Sequence, residues 1–179
     1  APDALGRLKT TTTSPTNVDG EVTQILSYGG RSFSILGRGG GLLFDSGSQL
    51  EELTAAAFPE DFNSNNDENN SFDNRSDDKG PEPEGVDTGR IAGSMHAFIG
   101  LERISAVAIY GVSDPRNPVF VMFLHNRDFS GDPTTDGAGD LGPEGIVFIP
   151  GRTSPNGKPM LAVANEVSGS TTLYDLSGL

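Results

Sequence analysis

The chain reads Pro83-Glu84-Gly85-Val86 at one point and Pro143-Glu144-Gly145-Ile146 at another, and each motif opens a stretch that resembles the other. Each copy has a second Glu, Glu102 or Glu166, and a Tyr lies eight residues after it. The two Glu residues are 18 positions apart in the first copy and 22 in the second. A repeat of this size, built from short apolar runs separated by Gly, Pro and Asn, is typical of β-propeller blades. Equivalent blade positions face the same region, so the repeated Glu predicts a ring of carboxylates.

The two copies differ in length at a single place. The four additional residues of the second copy fall in Ser154-Pro155-Asn156-Gly157-Lys158, a turn-forming sequence in which an insertion is easily accommodated.

The composition favours an all-β fold rich in loops. Only 34% of the 179 residues are apolar, Trp is absent, and Gly and Pro contribute 24 and 12 residues. The net charge of −13 argues against nucleic acid or an anionic membrane as a partner and favours cations. Because there is no Cys, disulfides and thiolate metal sites are excluded, which leaves oxygen ligands and two His. No stretch approaches the ~20 apolar residues of a transmembrane helix.

We therefore predict an all-β fold, a β-propeller segment of about three blades. Its expected parts are an outer strand of a preceding blade (1–16), a blade (17–59), an acidic Asn/Asp-rich loop (60–82), a blade (83–127), an acidic Gly-rich loop (128–142) and an incomplete last blade (143–179). Known rings need about four to eight blades. The ring is thus incomplete, and its remaining blades should come from upstream sequence or from another chain. Ala1-Pro2-Asp3 does not open a signal peptide, so we expect a processed or truncated piece.

Local patterns place the secondary structure. Strands are predicted over residues 22–28, 32–36 and 41–46, where β-branched or aromatic residues lie between glycines, and over 119–124, which ends at His125. Residues 4–13 alternate weakly and are a candidate edge strand. Glu51 to Phe58 predicts a helix of two turns that ends at Pro59.

The first acidic loop has features of a calcium site. Between Glu60 and Asp87 there are ten acidic and two basic residues, with six Asn among them. Asp61, Asn63 and Asn65 alternate like the first ligands of a calcium loop, although the pattern then departs from an EF-hand. The alternative is a solvated acidic insertion, against which the two Phe of the segment argue. The candidate ligands in this loop are Asp61, Asn63, Asn65, Asp67, Asp73, Asp77 and Asp78.

The second acidic loop offers Asp128 and Asp140 as further candidate ligands, against the alternative of a plain flexible loop. In the repeat itself, Glu84, Glu144 and Glu166 are the candidates, since clustered carboxylates repel one another unless a cation lies between them. Oxygen ligands of this kind favour Ca²⁺, with Mg²⁺ or Mn²⁺ as alternatives. The alternative interpretation is that the Glu residues, Glu102 included, cap turns or pair with arginines.

Several motifs together resemble the C-terminal part of the choice-of-anchor I domain family of secreted bacterial β-propellers. They are Leu5-Gly6-Arg7-Leu8-Lys9, Tyr28-Gly29-Gly30-Arg31-Ser32-Phe33-Ser34-Ile35, Phe44-Asp45-Ser46-Gly47, Asn65-Asn66-Asp67-Glu68, Ser76-Asp77-Asp78-Lys79-Gly80-Pro81-Glu82-Pro83-Glu84-Gly85, Asn126-Arg127-Asp128-Phe129, Asp140-Leu141-Gly142-Pro143-Glu144-Gly145 and Ala164-Asn165-Glu166-Val167-Ser168-Gly169. The resemblance implies a larger parent domain with further blades upstream, and export to the cell surface or medium, with the periplasm as an alternative. Members are often labelled alkaline phosphatases, and the Glu-Gly and Asn-Glu positions resemble those of phytase-like propellers. The segment 16–20 departs from the family, which is richer in Asp there.

The leading functional hypothesis is a calcium-dependent phosphoesterase acting on a phosphorylated small molecule. Glu84 and Glu144 would hold the metal, Arg103 and Arg127 would orient phosphate, and a metal-activated water would replace the missing Ser/His/Asp nucleophile. The alternative is a non-catalytic surface, adhesion or filament protein that calcium stiffens. A third hypothesis is one fragment of a nicked propeller that stays associated with its other part. His96 is expected to be a packing residue.

Overall fold

The computed structural model describes residues 6–179 and shows a nearly all-β protein. The strands are β1 (Ser34–Leu36), β2 (Leu42–Asp45), β3 (Pro83–Ile91), β4 (Ser94–Leu101), β5 (Ala106–Gly111), β6 (Val119–Leu124), β7 (Pro143–Ile149), β8 (Met160–Asn165) and β9 (Ser170–Asp175). Within the described range there is one α-helix, α1 (Gln49–Ala57), and one short 3-10 helix, Asp136–Ala138.

The strands form three antiparallel sheets: β1-β2, β3-β4-β5-β6 and β7-β8-β9. The second and third sheets repeat one register, since Pro83 pairs with Leu101 in one and Pro143 with Asn165 in the other. Both also carry an irregularity immediately after that Pro, at the Glu-Gly positions. No closed barrel forms among residues 6–179, and the arrangement is compatible with part of a propeller ring.

The length difference between the two copies lies where the sequence indicated. Two residues, Ala92 and Gly93, connect β3 to β4, and both have positive φ as a tight hairpin turn requires. The corresponding connection between β7 and β8 spans residues 150–159 and contains the predicted insertion.

The core consists of two apolar clusters on opposite faces of the middle sheet. On one face Ala97, Ile99 and Tyr110 pack with Leu50 of α1 and Phe33. On the other face Phe98, Val107 and Ile109 pack with Ile146, Leu161 and Val163 of the third sheet. The sheets are therefore stacked face to face, as neighbouring blades of a propeller are.

The helix predicted over Glu51–Phe58 is confirmed as α1. It begins after Ser48, whose hydroxyl donates to Glu52 Oε1 at 2.5 Å, and it ends before Pro59. A residue that precedes Pro disfavours the helical region, which explains the end.

The strands predicted over 4–13 and 22–28 are not formed in the described residues, and residues 4 and 5 of the first lie outside the described range. Residues 6–28 contain two isolated bridges, Thr10 to Ser27 and Thr16 to Val22. Ile25 keeps 71% of its surface exposed, so no apolar face holds this segment in a sheet. Polar contacts hold it instead, among them the bond from the Lys9 amide to the Asp77 carbonyl at 2.6 Å.

The acidic loop 60–82 is folded against the sheets. Asn63, Ser64 and Asn66 are buried, and the rings of Phe62 and Phe72 lie 6.3 Å apart. The segment is thus a compact polar connection and not a purely solvated insertion, and its buried residues are polar ones, since Phe72 keeps 57% of its surface exposed.

Candidate metal centre

The innermost strands of the two copies, β3 and β7, touch at their glycines. A Cβ on Gly85 would lie 2.2 Å from the carbonyl oxygen of Glu144, and a Cβ on Gly89 would lie 2.4 Å from the ring of Phe148. The Phe148 amide also donates to Asp87 Oδ2 at 2.7 Å. Because only glycine permits this approach, the Glu-Gly motif places Glu84 and Glu144 at the same edge of neighbouring sheets.

The second Glu of each copy comes to the same edge. Glu102 directly follows β4, and its amide donates to the carbonyl of residue 82 at 3.0 Å. Glu166 directly follows β8, and its amide donates to the carbonyl of Gly142 at 2.8 Å. The two residues are therefore structurally equivalent, as the repeat predicted.

The four glutamates interact electrostatically. A hydrogen bond that protonated Glu144 would share with Glu166, together with the repulsion between the two charges, is the main reason why the pKa of Glu144 is raised above its ordinary value. The charges of Glu84 and Glu102 raise the same pKa further. Carboxylates that disfavour one another's ionisation are the arrangement that a bound cation would relieve.

A fifth carboxylate, Glu82, lies beside them. One oxygen from each of Glu82, Glu84 and Glu102 lies within 4.8 Å of the others. Glu82 is only 2% exposed and has a φ of 49°, while the equivalent residue of the second copy is Gly142, with a φ of 73°. A non-glycine residue in this left-handed region costs about 1–2 kcal/mol, so the carboxylate is retained against backbone strain.

Among the described residues, basic side chains pair with the carboxylates of the first copy, including Glu84, which lies 4.0 Å from Lys79. Glu82 forms ion pairs with Arg103 and Lys79, and Arg75 lies 3.6 Å from it. Arg103 also lies 3.2 Å from Glu102. In the second copy the residue equivalent to Arg103 is Val167, and within residues 6–179 neither Glu144 nor Glu166 forms an ion pair.

Asn66 connects the acidic loop to this group. Its Nδ2 donates to Glu102 Oε1 at 2.7 Å, and its Oδ1 accepts from Arg103 Nη1 at 3.0 Å. The amide nitrogen and the amide oxygen of the buried Asn66 side chain both have hydrogen-bond partners, and these bonds hold Glu102 and Arg103 in place.

Arg127 is buried next to the backbone of Arg103, with 5% of its surface exposed. Its Nη1 donates to the carbonyl of Arg103 and its Nη2 to the carbonyl of Asn65, both at 2.8 Å, while its guanidinium lies 4.4 Å from the centre of the Phe129 ring. Burial lowers its pKa to about 10, although Asp61 and Asp67 act in the opposite direction. Both terminal nitrogens of Arg127 therefore donate to backbone carbonyls. Its predicted contact with phosphate stays a prediction.

Most of the remaining candidates of the first acidic loop have protein partners, whereas Asp67 is exposed. Asp73 pairs with Arg7 at 2.7 Å, and Asp78 lies 3.3 Å from both Lys9 and Arg75. Asn63 Nδ2 donates to Glu51 and Ser76, and Asn65 Nδ2 donates to Glu68. Asp77 lies 4.0 Å from Lys9. Asp61 is partly buried, and this desolvation raises its pKa. The structure does not gather them around one point.

In the second acidic loop, Asp128 accepts from the amide and hydroxyl of Ser130, at 2.9 and 2.7 Å, and so closes a local turn. Asp140 accepts from Ser170, Thr172 and Asn126. Burial acts to raise the pKa of Asp140, but these three hydrogen bonds outweigh it and the pKa is lowered. The carboxylate of Asp140 therefore holds the first residues of β9 in place through Ser170 and Thr172.

This arrangement predicts acid-dependent stability. Asp140 binds its proton less readily in the folded state than in the unfolded chain, so its contribution is complete above pH ~4 and is lost as the pH falls below it. Asp140→Asn should cost about 1 kcal/mol at pH 6 and less at pH 3, in urea unfolding followed at both values. Asp19→Asn, at an exposed turn, is the control, and an equal loss at both pH values would contradict the prediction.

Sequence reasoning found part of the group. Glu84, Glu144 and Glu166 were predicted ligands, and Arg103 was a predicted site residue; all four lie in it. Glu82 and Glu102 were not among the predicted ligands. The repeat itself pointed to Glu102, whereas only the folded position of Glu82 reveals its place. His96 is buried, as expected, and His125 is exposed with its ring 5.1 Å from that of Phe58.

Comparison with known proteins identifies the family of the chain. The choice-of-anchor I domain matches residues 1–115. The chain belongs to the choice-of-anchor I domain family. It is 30% identical over 191 residues to Gigasin-3a of Magallana gigas, an alignment that covers 98% of this chain and 66% of that protein. No solved structure matches the chain.

Membership of the choice-of-anchor I family indicates an exported, β-propeller-type protein of the surface or secreted class. Residues 6–179 contain no helix with the length and apolar character needed to cross a membrane.

Proposed function

We propose that this choice-of-anchor I chain is the calcium-binding segment of an extracellular or cell-surface β-propeller, and that Ca²⁺ binds where β3 and β7 begin. The mutual electrostatic influence of Glu84, Glu102, Glu144 and Glu166 supports this function, because within residues 6–179 the last two form no ion pair with a basic side chain. The remaining blades of the ring would come from polypeptide outside residues 6–179.

The donor set favours a hard cation. The four candidate ligands at this edge are all carboxylates, and the chain has no Cys. Ca²⁺ accepts six to eight oxygen ligands in a flexible geometry, whereas Mg²⁺ requires a near-ideal octahedron. Glu144 and Glu166 are exposed and can adjust, so Ca²⁺ fits better than Mg²⁺ or Mn²⁺.

The ion would join two blades. Glu84 and Glu102 belong to the sheet β3–β6, whereas Glu144 and Glu166 belong to β7–β9. Neutralising their repulsion at the contact between β3 and β7 would stabilise the stacked sheets, since a ligand that binds only the folded state adds to its stability.

A calcium titration by calorimetry tests the proposal. Glu144→Gln should weaken Ca²⁺ binding by about tenfold or more and should reduce the rise in melting temperature that Ca²⁺ causes. Asp67→Asn removes an exposed carboxylate of the loop 60–82 and is the control. Loss of binding in Asp67→Asn with unchanged binding in Glu144→Gln would place the ion in the loop and overturn the proposal.

Phosphoester hydrolysis is the second candidate function, and the position of Arg103 favours it. Its guanidinium lies among the carboxylates, 3.2 Å from Glu102, where it could contact an anion held by a metal. A metal bound there would supply Lewis-acid polarisation of the phosphate. Arg103 Nε and Nη1 already contact Glu82 and Asn66, so only part of the group is available.

Hydrolysis of p-nitrophenyl phosphate, measured with Ca²⁺ and with a chelator, separates the two functions. Turnover that disappears with the chelator and in Glu144→Gln would support the phosphoesterase. Calcium binding and a melting shift without turnover would leave the non-catalytic surface, adhesion or filament protein.

A further inference from the structure

A run of residues with hydroxyl groups precedes the first sheet. Residues 10–16 read Thr-Thr-Thr-Thr-Ser-Pro-Thr, so six of the seven side chains carry a hydroxyl. The run joins no sheet and forms only the isolated bridges of Thr10 and Thr16. Stretches rich in Thr and Ser that contain Pro are typical of O-glycosylated regions, but composition alone does not show which hydroxyls an enzyme can reach.

Three of the six hydroxyls are engaged in a tight turn. The Ser14 amide donates to the Thr11 carbonyl at 3.3 Å, which places Thr12 and Thr13 at the corner of the turn. The hydroxyls of Thr11 and Thr13 share a hydrogen bond of 2.8 Å, and the Ser14 hydroxyl donates to the Thr11 carbonyl at 2.9 Å. Ser14 is also 9% exposed, so its oxygen is closed to a large substituent.

The other three hydroxyls belong to Thr10, Thr12 and Thr16. These residues are exposed, and their hydroxyls form no hydrogen bond with any group of residues 6–179. Thr12 lies at the corner of the turn, and Thr16 follows the exposed Pro15. A substituent on these oxygens therefore displaces no contact of the fold.

A substituent on Thr16 would also cover apolar surface. Thr16 pairs with Val22 in an antiparallel bridge, and side chains directly opposite each other in such a pair lie on the same face. Val22 keeps 59% of its surface exposed. A hydrophilic sugar at Thr16 would thus shield an apolar side chain that the described residues leave to solvent.

The sequence Pro133-Thr134-Thr135 provides a comparison within the same chain. Both Thr residues are exposed and lie beside a Pro, as in the run 10–16. Their hydroxyls are engaged, however: Thr134 donates to Asp132 Oδ1 at 2.7 Å and Thr135 to the Asp132 carbonyl at 3.0 Å. Exposure and a neighbouring Pro are shared by the two segments, and the free hydroxyls distinguish them.

We propose that Thr10, Thr12 and Thr16 are acceptor sites for O-linked glycosylation from a nucleoside-diphosphate sugar. The threonine oxygen forms a bond to the anomeric carbon of the sugar, and the bond between that carbon and the diphosphate breaks. The nucleoside diphosphate leaves, and the hydroxyl proton passes to a base of the transferase. An exported protein of this family meets such enzymes where its route of export contains them.

The probe is UDP-N-acetylgalactosamine with a purified Thr/Ser-specific N-acetylgalactosaminyltransferase, incubated with the folded chain of 179 residues. Peptide mass spectrometry locates the sugars. Occupancy at Thr10, Thr12 and Thr16 should exceed that at the engaged hydroxyls by about fivefold, the difference that breaking one hydrogen bond implies. The engaged hydroxyls in this comparison are those of Thr11, Thr13, Ser14, Thr134 and Thr135.

Matched variants test the same selection. Changing Thr10, Thr12 and Thr16 together to Val should lower total incorporation at least about fivefold, whereas Thr134→Val with Thr135→Val should leave it unchanged. Unchanged melting temperatures of both variants verify that the chain is still folded.

No incorporation into the folded chain would overturn the proposal. Sugars placed mainly on Thr11, Thr13 or Ser14, or outside residues 10–16, would also overturn it, because a free hydroxyl would then not be the feature that selects the site. The run shares no residue with the four glutamates of the proposed calcium site. Failure of this assay and failure of the calcium titration are therefore independent.

Discussion

Gly85→Ala is expected to lower the free energy of unfolding by about 3 kcal/mol, the upper part of the range for overpacking a closely packed contact. The added Cβ would lie 2.2 Å from the carbonyl oxygen of Glu144 and 3.2 Å from a side-chain carbon of Ile146. A backbone oxygen cannot rotate away as a side chain can, so β3 and β7 must separate. Urea unfolding measures the loss of stability.

The control for this change is Gly41→Ala. A Cβ on Gly41 meets nothing within 4 Å, and its φ is outside the left-handed region, so its stability should change by less than about 1 kcal/mol. Gly85→Ala should also weaken Ca²⁺ binding, because Glu84 and Glu144 move apart. Equal stability of the two variants would show that the contact between β3 and β7 is not close in solution.

Glu82→Gln is expected to cost about 3 kcal/mol, because it removes the carboxylate that neutralises Arg103, Lys79 and Arg75. The carboxylate is 2% exposed, whereas its partners are less buried, so we expect the lower part of the range for breaking a buried ion pair. Unfolding in urea at neutral pH measures the cost. Glu84→Gln, at an exposed position, is the matched control and should change stability little.

The left-handed backbone at residue 82 gives a second comparison. Glu82→Gly and Glu82→Ala both remove the carboxylate, but Gly adopts a φ of 49° without strain. Glu82→Gly should therefore be about 1 kcal/mol more stable than Glu82→Ala. Wild-type stability in Glu82→Gln, or equal stability of the Gly and Ala variants, would contradict this account of the residue.

Periodic features of the chain could be predicted from sequence. The apolar runs at 32–36, 41–46 and 119–124 became β1, β2 and β6, and the short helix ended before Pro59. The helix and β6 pack against the core clusters, and Phe44 of β2 contacts the ring of Phe33, which packs against one of them, so local preference and packing agree. The segment 22–28 has the same local preference but no such partner, and its strand did not form.

The acidic loops show where local reasoning fails. Alternating Asp and Asn residues over 61–65 suggested a calcium loop, yet Asn63 donates to Glu51 and the backbone of Asn65 is held by Arg127. Short polar side chains hydrogen-bond backbone and neighbours as readily as they bind metal. Which of these occurs depends on residues distant in sequence, and single-sequence patterns carry no information about them.

The sequence by itself determined the repeat, its Glu-Gly motifs and the excess of negative charge, because these follow from spacing and composition alone. Only the tertiary structure decided which carboxylates meet and which are neutralised. Within residues 6–179, Glu144 and Glu166 have no basic partner, and Val167 stands where the first copy has Arg103. Glu82 is buried among basic side chains from the loop 60–82 and from the β4–β5 turn. Charge balance in a folded site depends on distances between elements, and those are set by the stacking of the sheets.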